Sequence, residues 1–551
     1  MKRIFFSLSM LLCTIMAAAQ VIDVKFYGAF VDVDVPSNVT DVTVTKDFGH
    51  VTIVSSTQTT EYTYRVSGTT SEGSLTISGL YKFTLQLNGV NIKSNRGSAL
   101  NIACSKRIAV QLVDGTVNTF EDAAGGTQKA AMYFTGHPEI EGGGVLNVKG
   151  NTAHAISAKE YIQIKKSCGT INILGAVKDG IHCGKAKVSA WDENLDANVN
   201  EIFQMSGGTI NIANVGGDCI DADEYGCMII KGGNINLDIT APDACGLKSA
   251  NTFLMTGGNI NINLSGQDSD GIYFNNNARL EGGSIYVDVT GNGSKAIKGK
   301  LKTTTPYKSG GNLAITDAEV NIIARGGDVT KADNPADPSH CVGISIDGNL
   351  TCPSAVSVKV LAVGDEAKAY TCDGTFTGAI SAMYRQWYVN PHDYHYTASL
   401  YAVVKGFTAA DYADYDIAAF VGDECRGTLE YNADGYGFMT LYTDNVSSTK
   451  ETLTFRLYQK STKTVIQGKN STTFASGDVI GTPSSPFIIL FDPPYLRGDV
   501  NLDGAVNISD VTALVNIILG KSAPTPTSNV NEAGGIDISD VTALVNIILG
   551  K

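Results

Sequence analysis

A six-residue pattern recurs in the middle of this chain at a constant interval of 25 residues. It consists of two glycines followed by alternating polar and apolar residues, and its regular copies begin at Gly207, Gly232, Gly257 and Gly282. A second short apolar pattern, such as Cys219-Ile-Asp-Ala, lies about a dozen residues from each copy. Alternation over so few residues is typical of β-strands. One such unit cannot bury its apolar face alone, so the repeat predicts a stack of similar units.

The length of the repeat favours one kind of stack. Propeller blades need about 40 residues, and leucine-rich repeats carry a different signature, so a parallel β-helix fits best. We predict a mainly β chain, with this domain over residues 20–384 and insertions around residues 191–200 and 306–338. The 59 glycines suit the many tight turns that such a fold requires.

Stacking places equivalent residues of successive repeats in columns. The residues just before the second pattern form one column: His154, Asp179, Asp218, Cys245, Asp270 and Lys295. The residues three positions further on form another: Ser157, His182, Asp221, Lys248, Tyr273 and Lys298. Neighbouring strands lie about 4.8 Å apart, so these side chains are close enough to share one ligand.

The columns contain more aspartates than stacking tolerates without compensation. Like charges at this spacing repel unless a cation neutralises them, and Ca²⁺ takes six to eight oxygen ligands. The sequence therefore predicts a calcium site, with these aspartates as ligands: Asp179, Asp218, Asp221, Asp223 and Asp270. The alternative is that each aspartate only ends a strand through an Asx turn.

Two motifs carry a resemblance to a known family. Ser269-Asp-Gly-Ile and Gly217-Asp-Cys-Ile-Asp-Ala-Asp, together with the glycine-pair repeat, resemble the secreted carbohydrate-binding β-helix family related to pectate lyases. The resemblance implies a right-handed parallel β-helix that binds Ca²⁺ and acidic plant polysaccharide such as polygalacturonate. On this reading, the residues expected to contact carbohydrate are His182, Lys248, Tyr273 and Lys298.

Two other functions stay open at this point. A calcium-dependent polysaccharide lyase would use Lys248 as the base of a β-elimination, because a lysine with a lowered pKa can remove a proton. The lysine could equally pair with a neighbouring aspartate. A structural surface adhesin is the third alternative, although it leaves the acidic columns unexplained.

The repeat stops near residue 384, and short strand-like runs follow. These include Ala398–Lys405, Ile417–Val421 and Thr452–Gln459, separated by turn residues. They predict a β-sandwich over residues 385–494.

The last segment, residues 495–551, contains a duplicated loop and helix. The first loop has the spacing of a calcium loop, with a glycine at position 6 and these candidate ligands: Asp499, Asn501, Asp503, Ala505, Asn507 and Asp510. The stretch Ile508–Lys521 recurs unchanged as Ile538–Lys551. The second loop has Asn529 and Ala533 at positions 1 and 5, which leaves Asn531, Asp537 and Asp540 and predicts weaker binding. This small α-helical module resembles a dockerin, which implies attachment to a cohesin-like or other surface protein.

The first residues and the composition bear on location and partners. Residues 1–19 combine two basic residues, an apolar run and three alanines, which predicts a signal peptide and a secreted or cell-surface protein. A net charge of −14 argues against nucleic acid, and no later apolar run is long enough for a membrane span. The cysteines show no CxxC spacing, and we expect Cys183 and Cys219 to be core residues.

Overall fold

The computed structural model describes residues 20–184, 202–222, 226–301, 310–332, 334–353, 357–432, 434–491, 497–531 and 533–551. The predicted signal peptide and the predicted insertion around residues 191–200 lie outside these ranges, whereas most of the one around residues 306–338 lies inside them. The chain divides into two compact units, Met1–Tyr384 and Arg385–Lys551. Both are mainly β, as predicted, and the helices belong to the second unit.

The strands of the first unit are short and follow the sequence repeat. Its first half contains β1 (Val21–Tyr27), β2 (Phe30–Asp34), β3 (Val42–Asp47), β4 (His50–Ser55), β5 (Thr63–Thr70), β6 (Ser74–Gly79), β7 (Phe83–Lys93), β8 (Leu100–Ala103), β9 (Arg107–Leu112), β10 (Val117–Glu121), β11 (Ala130–Phe134), β12 (His137–Glu141), β13 (Val145–Gly150), β14 (His154–Ala158), β15 (Ile162–Ile164), β16 (Thr170–Ala176) and β17 (Ile181–Cys183).

Its second half contains β18 (Ile202–Met205), β19 (Thr209–Ile212), β20 (Ile220–Ala222), β21 (Cys227–Ile230), β22 (Asn234–Ile239), β23 (Cys245–Ser249), β24 (Phe253–Leu264), β25 (Asp270–Phe274), β26 (Asn277–Val289), β27 (Lys295–Gly299), β28 (Asn312–Ile315), β29 (Glu319–Ala324), β30 (Val342–Ile346), β31 (Leu350–Cys352), β32 (Val358–Val363), β33 (Lys368–Cys372), β34 (Phe376–Gly378) and β35 (Ser381–Arg385).

Strands of successive repeats pair in parallel at the interval of the sequence repeat. In the glycine-pair strands, for example, Ile210 pairs with Ile235, and Ile235 pairs with Ile260. The apolar residues of every repeat therefore lie above one another, and they form one continuous core from Ile22 to Ala369. A single repeat could not bury these apolar residues by itself.

The closure of the sheet corrects the predicted fold class. Twelve parallel strands form a closed ring, a β-barrel, where we expected a right-handed parallel β-helix. Around the ring the strands follow the order β7, β9, β12, β15, β18, β21, β24, β22, β19, β16, β13 and β10. The ring closes because β7 and β24 are long, and each pairs with two neighbouring strands: β24 contacts β21 through Phe253–Met255 and β22 through Asn259–Leu264. The glycine pair Gly257–Gly258 lies inside β24 and does not end it.

A separate sheet of thirteen strands carries the predicted columns. Its order is β3, β4, β6, β8, β11, β14, β17, β20, β23, β25, β27, β30 and β33. All its pairings are parallel except that of β3 with β4. Apolar residues of this sheet, such as Ile220, Leu247 and Ile272, belong to the same core.

One glycine of each pair has a backbone conformation that other residues rarely adopt. Gly258 has a φ of +94°, and a Cβ atom there would lie 2.8 Å from the carbonyl oxygen of Gly233 in the preceding repeat. The second glycine is therefore required both by the turn and by the close approach of neighbouring repeats.

The cysteines behave as small core residues. The cysteines in the described ranges form no disulfides, and Cys183 and Cys219 are fully buried. Burial raises the pKa of the Cys219 thiol, as expected for an inert apolar position.

The second unit begins with two five-stranded sheets. Its strands are β36 (Tyr396–Val404), β37 (Tyr415–Val421), β38 (Glu424–Thr428), β39 (Glu430–Tyr431), β40 (Gly437–Thr443), β41 (Glu451–Gln459), β42 (Thr464–Gln467), β43 (Thr472–Phe474), β44 (Val479–Ile480) and β45 (Phe487–Ile489). One sheet contains β36, β39, β40, β44 and β45, and the other contains β37, β38, β41, β42 and β43. Their apolar faces share one core that includes Leu400, Leu441 and Phe455.

Two helices complete the second unit, α1 (Ile508–Ile518) and α2 (Ile538–Ile548). Each begins with a capping box, formed by Asn507 and Asp510 in α1 and by Asp537 and Asp540 in α2. In the part of the chain that the structure describes, neither helix is long and apolar enough to cross a membrane.

Candidate functional site

The middle strands of the thirteen-stranded sheet bring the predicted column residues together. The pairing places Ser157 beside His182, His182 beside Asp221, Asp221 beside Lys248, Lys248 beside Tyr273, and Tyr273 beside Lys298. We call these six residues the strand column. They lie far apart in sequence, and their adjacency follows from the parallel register of the repeats.

A second column lies where the chain enters these strands. It comprises His154, Asp179, Asp218, Cys245, Asp270 and Lys295, and we call it the turn column. Asp179 accepts a hydrogen bond from the backbone N–H of Asp218 at 2.9 Å, and Asp218 accepts one from that of Cys245 at 2.7 Å. These carboxylates therefore bind the backbone of the next repeat, as expected if aspartates end the strands.

Lysines of the strand column neutralise the central aspartates. The Lys248 ammonium lies 2.7 Å from an oxygen of Asp218 and 3.5 Å from one of Asp221. Further along, Lys298 lies 3.2 Å from Asp270 and above the ring of Tyr273. Basic side chains of the protein thus provide the compensation for which we had predicted calcium.

The electrostatics of Lys248 do not suit a catalytic base. Burial alone would lower the pKa of its ammonium, but the carboxylates of Asp221 and Asp218 outweigh it and raise that pKa well above its usual value. A protonated, ion-paired lysine cannot remove a proton. Burial also raises the pKa of Asp218, although its ion pair with Lys248 opposes the shift.

Two histidines share the carboxylate of Asp179. Its Oδ2 atom lies 3.0 Å from Nδ1 of His154 and 3.2 Å from Nδ1 of His182. The two imidazole rings are stacked with centroids 4.4 Å apart. Burial alone would raise the pKa of Asp179, but hydrogen bonds with His154 and His182 lower it overall. Burial would lower the pKa of His182, but Asp179 and Asp221 raise it to about 9.

The donor atoms offer limited support for calcium at the columns. Imidazole nitrogens are poor calcium ligands, and oxygens of Asp218 and Asp270 already contact lysines. One buried oxygen each of Asp221 and Asp270 makes no hydrogen bond in the described part of the chain. Asp223 lies outside the described residues. Calcium bound by these aspartates therefore stays a prediction.

A cavity beside the columns is a feature that the sequence analysis missed. Its volume is about 440 Å³, and it is lined by Thr127, Gln128, Lys129, Tyr133, Ala153, His154, Ser157, Ala158, Lys159, Lys178, His182 and Gly184. Of the described residues, those that line it include three exposed lysines and no carboxylate. A signal was present, because Lys178 precedes Asp179 of the turn column and Lys129 precedes Ala130, which pairs with His154. The two lysines therefore occupy equivalent places two repeats apart.

Tyr133 continues the strand column into this cavity. It pairs with Ser157 in the register of the sheet, and it is half-buried. The Lys129 ammonium lies 5.7 Å from the centre of its ring. The cavity and the strand column are therefore continuous in the register of the sheet.

Two other depressions have different chemistry. One, of about 440 Å³, lies over a ladder in which the amide of each asparagine donates to the next, as from Asn211 to Asn172 at 2.8 Å. The other contains Lys82 and Arg107, but both pair with Glu61, at 2.9 and 3.2 Å. The asparagine amides of the first and these two basic side chains of the second are thus already partnered within the protein.

Two aspartates hold the first loop of the second unit in its curved shape. Asp499 accepts hydrogen bonds from the backbone N–H groups of Asp503 and Gly504, and Asp510 accepts them from those of Asn501 and Asn507. These bonds curve the loop around its oxygen-bearing side chains, with Gly504 at a positive φ. The predicted ligands Asn501, Asp503, Ala505 and Asn507 all lie on this loop, so the donor set fits a hard cation.

The second loop repeats the shape with fewer oxygens. Asn531 donates its backbone N–H to Asp540, and so does Asp537. At position 1, Asn529 donates its side-chain amide to the carbonyl of Gly534 instead of presenting a carboxylate. The loop therefore has the fold of a calcium loop with a weaker ligand set.

Comparison with known proteins gives one family and one structural neighbour. The family described as "Carbohydrate-binding domain-containing protein" matches residues 49–334, which is just over half of the 551 residues. A polysaccharide lyase-like protein from C. thermocellum, solved as a gadolinium derivative, is similar at 16% identity and a TM-score of 0.30. The match covers 66% of this chain and 99% of that chain. No curated protein matches the sequence.

Proposed function

Because the chain belongs to the family of carbohydrate-binding domain-containing proteins, we propose that its first unit binds an acidic polysaccharide of the polygalacturonate type. The binding surface is the cavity beside Tyr133 together with the strand column from His182 to Lys298. The observation that carries the proposal is the cavity, whose described lining has three exposed lysines and no carboxylate.

Charge is the first reason for an acidic sugar. The whole protein has a net charge of −14, so a polyanion is repelled by most of its surface. Lys129, Lys159 and Lys178 reverse that sign locally, and a cleft lined by one sign of charge concentrates ligands of the opposite sign. A neutral glycan would gain nothing from this arrangement.

Aromatic rings supply the second reason. Tyr133 presents a half-buried ring at the cavity, and Tyr273 lies further along the strand column. A tyrosine offers an apolar face for the C–H surface of a sugar and a hydroxyl for its polar edge. Cationic groups next to such rings match a uronate, which combines a pyranose ring with a carboxylate.

We further propose that Ca²⁺ binds to the first loop of the second unit and that this module attaches the protein to a cohesin-like or other surface partner. The support is the ligand set of residues 499–510 and the duplication of the helix. Each copy exposes an apolar residue at its first position, Ile508 in α1 and Ile538 in α2, at 73% and 71% exposure. Exposed apolar residues at equivalent places suit a protein partner. Secretion directed by residues 1–19 belongs to the same proposal.

Affinity electrophoresis tests the polysaccharide proposal. The protein is run in gels that contain polygalacturonate or the same polymer with its carboxylates methyl-esterified. We expect retardation only by the acid form. A variant with Lys129, Lys159 and Lys178 changed to Gln should migrate freely. The control variant has the same change at three lysines exposed elsewhere, Lys25, Lys231 and Lys359, and it should still be retarded. Equal retardation by both polymers, or by both variants, would contradict the proposal.

A further inference from the structure

The cluster of His154, Asp179 and His182 has donor atoms that the proposed function does not need. Each of these three side chains offers one nitrogen or oxygen atom as a ligand, and the three atoms lie within 4.8 Å of one another. Asp179 lies one repeat after His154, and His182 follows Asp179 by three residues. The cluster therefore combines a turn residue and a strand residue of one repeat with a turn residue of the preceding repeat. We propose that these three residues bind a divalent transition-metal ion, for which Zn²⁺ is the probe.

The distances between the donor atoms fit such an ion. Oδ2 of Asp179 is 3.0 Å from Nδ1 of His154 and 3.2 Å from Nδ1 of His182. Ligand atoms of a tetrahedral zinc ion with bonds of about 2.0–2.1 Å lie about 3.3 Å apart. The three atoms therefore need only small side-chain movements to surround a metal ion.

Carboxylate oxygens surround the buried ring nitrogen of His182. Its Nδ1 atom lies 3.2 Å from Oδ2 of Asp179 and 3.3 Å from Oδ2 of Asp221. His154 Nδ1 lies 3.3 Å from the backbone N–H of Asp179, which can donate to it. A metal ion bound at this nitrogen would take the place of that long hydrogen bond, because an imidazole nitrogen has a single lone pair.

The stacked rings bring two imidazoles to one carboxylate. Their centroids lie 4.4 Å apart, and Oδ2 of Asp179 contacts both rings. Two imidazoles and one carboxylate form a donor set for zinc or a similar transition metal, whereas calcium prefers oxygen alone.

The position of the cluster leaves room for further ligands. Oδ2 of Asp221 lies 3.3 Å from His182 Nδ1 and is the nearest additional carboxylate. On the other side, His154 and His182 line the cavity of about 440 Å³. Three protein ligands with one open side are typical of zinc sites that exchange a ligand.

The test uses the metal alone, so its outcome is independent of the polysaccharide proposal. Zn²⁺ is titrated into the full chain by calorimetry, for the wild type and for His154→Ala, His182→Ala and His182→Gln. We expect one saturable site whose affinity falls by about tenfold or more in each variant, since even partners outside the ligand set cost this much. The matched control is His340→Ala, because His340 also pairs with a carboxylate, Asp328, at 2.8 Å, but without a second histidine.

Spectroscopy on the wild type keeps the proposal testable if a variant fails to fold. Bound Co²⁺ should show no thiolate charge-transfer bands, which excludes the free cysteines as ligands, and bound Cu²⁺ should show magnetic coupling to imidazole nitrogen. The proposal is overturned by the absence of saturable binding, by equal loss in His340→Ala, or by thiolate bands or missing nitrogen coupling.

Discussion

The ammonium of Lys248 lies 2.7 Å from Oδ2 of Asp218, a residue 30 positions earlier in the chain. The side chain of Asp218 is only 12% exposed, so its charge depends on this partner. Asp221 lies 3.5 Å away on the same strand column and shares the lysine. Acidic residues that the repeat forces together are thus stabilised by a basic residue of the next repeat.

Replacement of Lys248 by Met should lower stability. The change leaves the buried carboxylate of Asp218 without a cation and Asp221 with His182 alone, and an unsatisfied buried polar group costs about 1–3 kcal/mol. Thermal unfolding followed by circular dichroism measures the loss. Adding Asp218→Asn to the variant should recover part of it, and Lys231→Met, at an exposed lysine, serves as the control. A melting temperature equal to that of the wild type would show that the pair contributes nothing.

Polygalacturonate incubated with the protein should yield no unsaturated products. The raised pKa of Lys248 keeps its ammonium protonated, so a β-elimination has no base at this position. Ultraviolet absorbance of the double bond is followed with and without Ca²⁺. Turnover that disappears in Lys248→Ala would instead support the lyase alternative.

Calcium binding should reside in the first loop of the second unit. Asp503→Ala removes an exposed charged ligand of that loop and should weaken binding by roughly tenfold or more. In the second loop, Asn529→Asp with Ala533→Asp should strengthen binding, because it restores carboxylates at positions 1 and 5. Calorimetric titration of the full chain measures both changes. Asp218→Asn is the control, and a calcium site lost in that variant would place calcium on the columns instead.

Gly258→Ala should destabilise the first unit more than Gly89→Ala does. Both glycines have a positive φ, which costs a non-glycine residue about 1–2 kcal/mol. Only at Gly258 would the new Cβ also approach a carbonyl oxygen of the neighbouring repeat, whereas nothing lies within 4 Å at Gly89. Unfolding of the two variants measures the difference. Equal losses would mean that the contact between repeats is not tight.

The recurrence of the second apolar pattern predicted which residues become neighbours. Its copies align His182, Asp221 and Lys248 although the spacing between them varies, so these residues could be placed in one column from the sequence. The repeat could not distinguish a bend from a continuous strand, because a glycine pair permits either, and β24 runs through Gly257–Gly258. The predicted β-helix was therefore wrong where the ring of strands closes.

Side-chain directions limited the prediction of the site. The sequence showed that acidic residues stack, but the choice between a metal ion and a lysine as counter-charge depends on where the Lys248 side chain reaches. The cavity was missed for a related reason. Lys129 and Lys178 lie in turns outside the repeated apolar pattern, and only the folded chain brings them next to Tyr133.

Calorimetric titration with a defined oligogalacturonate tests the central claim most directly. Changing the three cavity lysines, Lys129, Lys159 and Lys178, to Gln should weaken binding by roughly 5- to 150-fold, which corresponds to about 1–3 kcal/mol for three partly solvated ion pairs. The same change at Lys25, Lys231 and Lys359 should leave the dissociation constant within about twofold of the wild type. Equal losses in both triple variants, or full affinity in the cavity variant, would contradict the account.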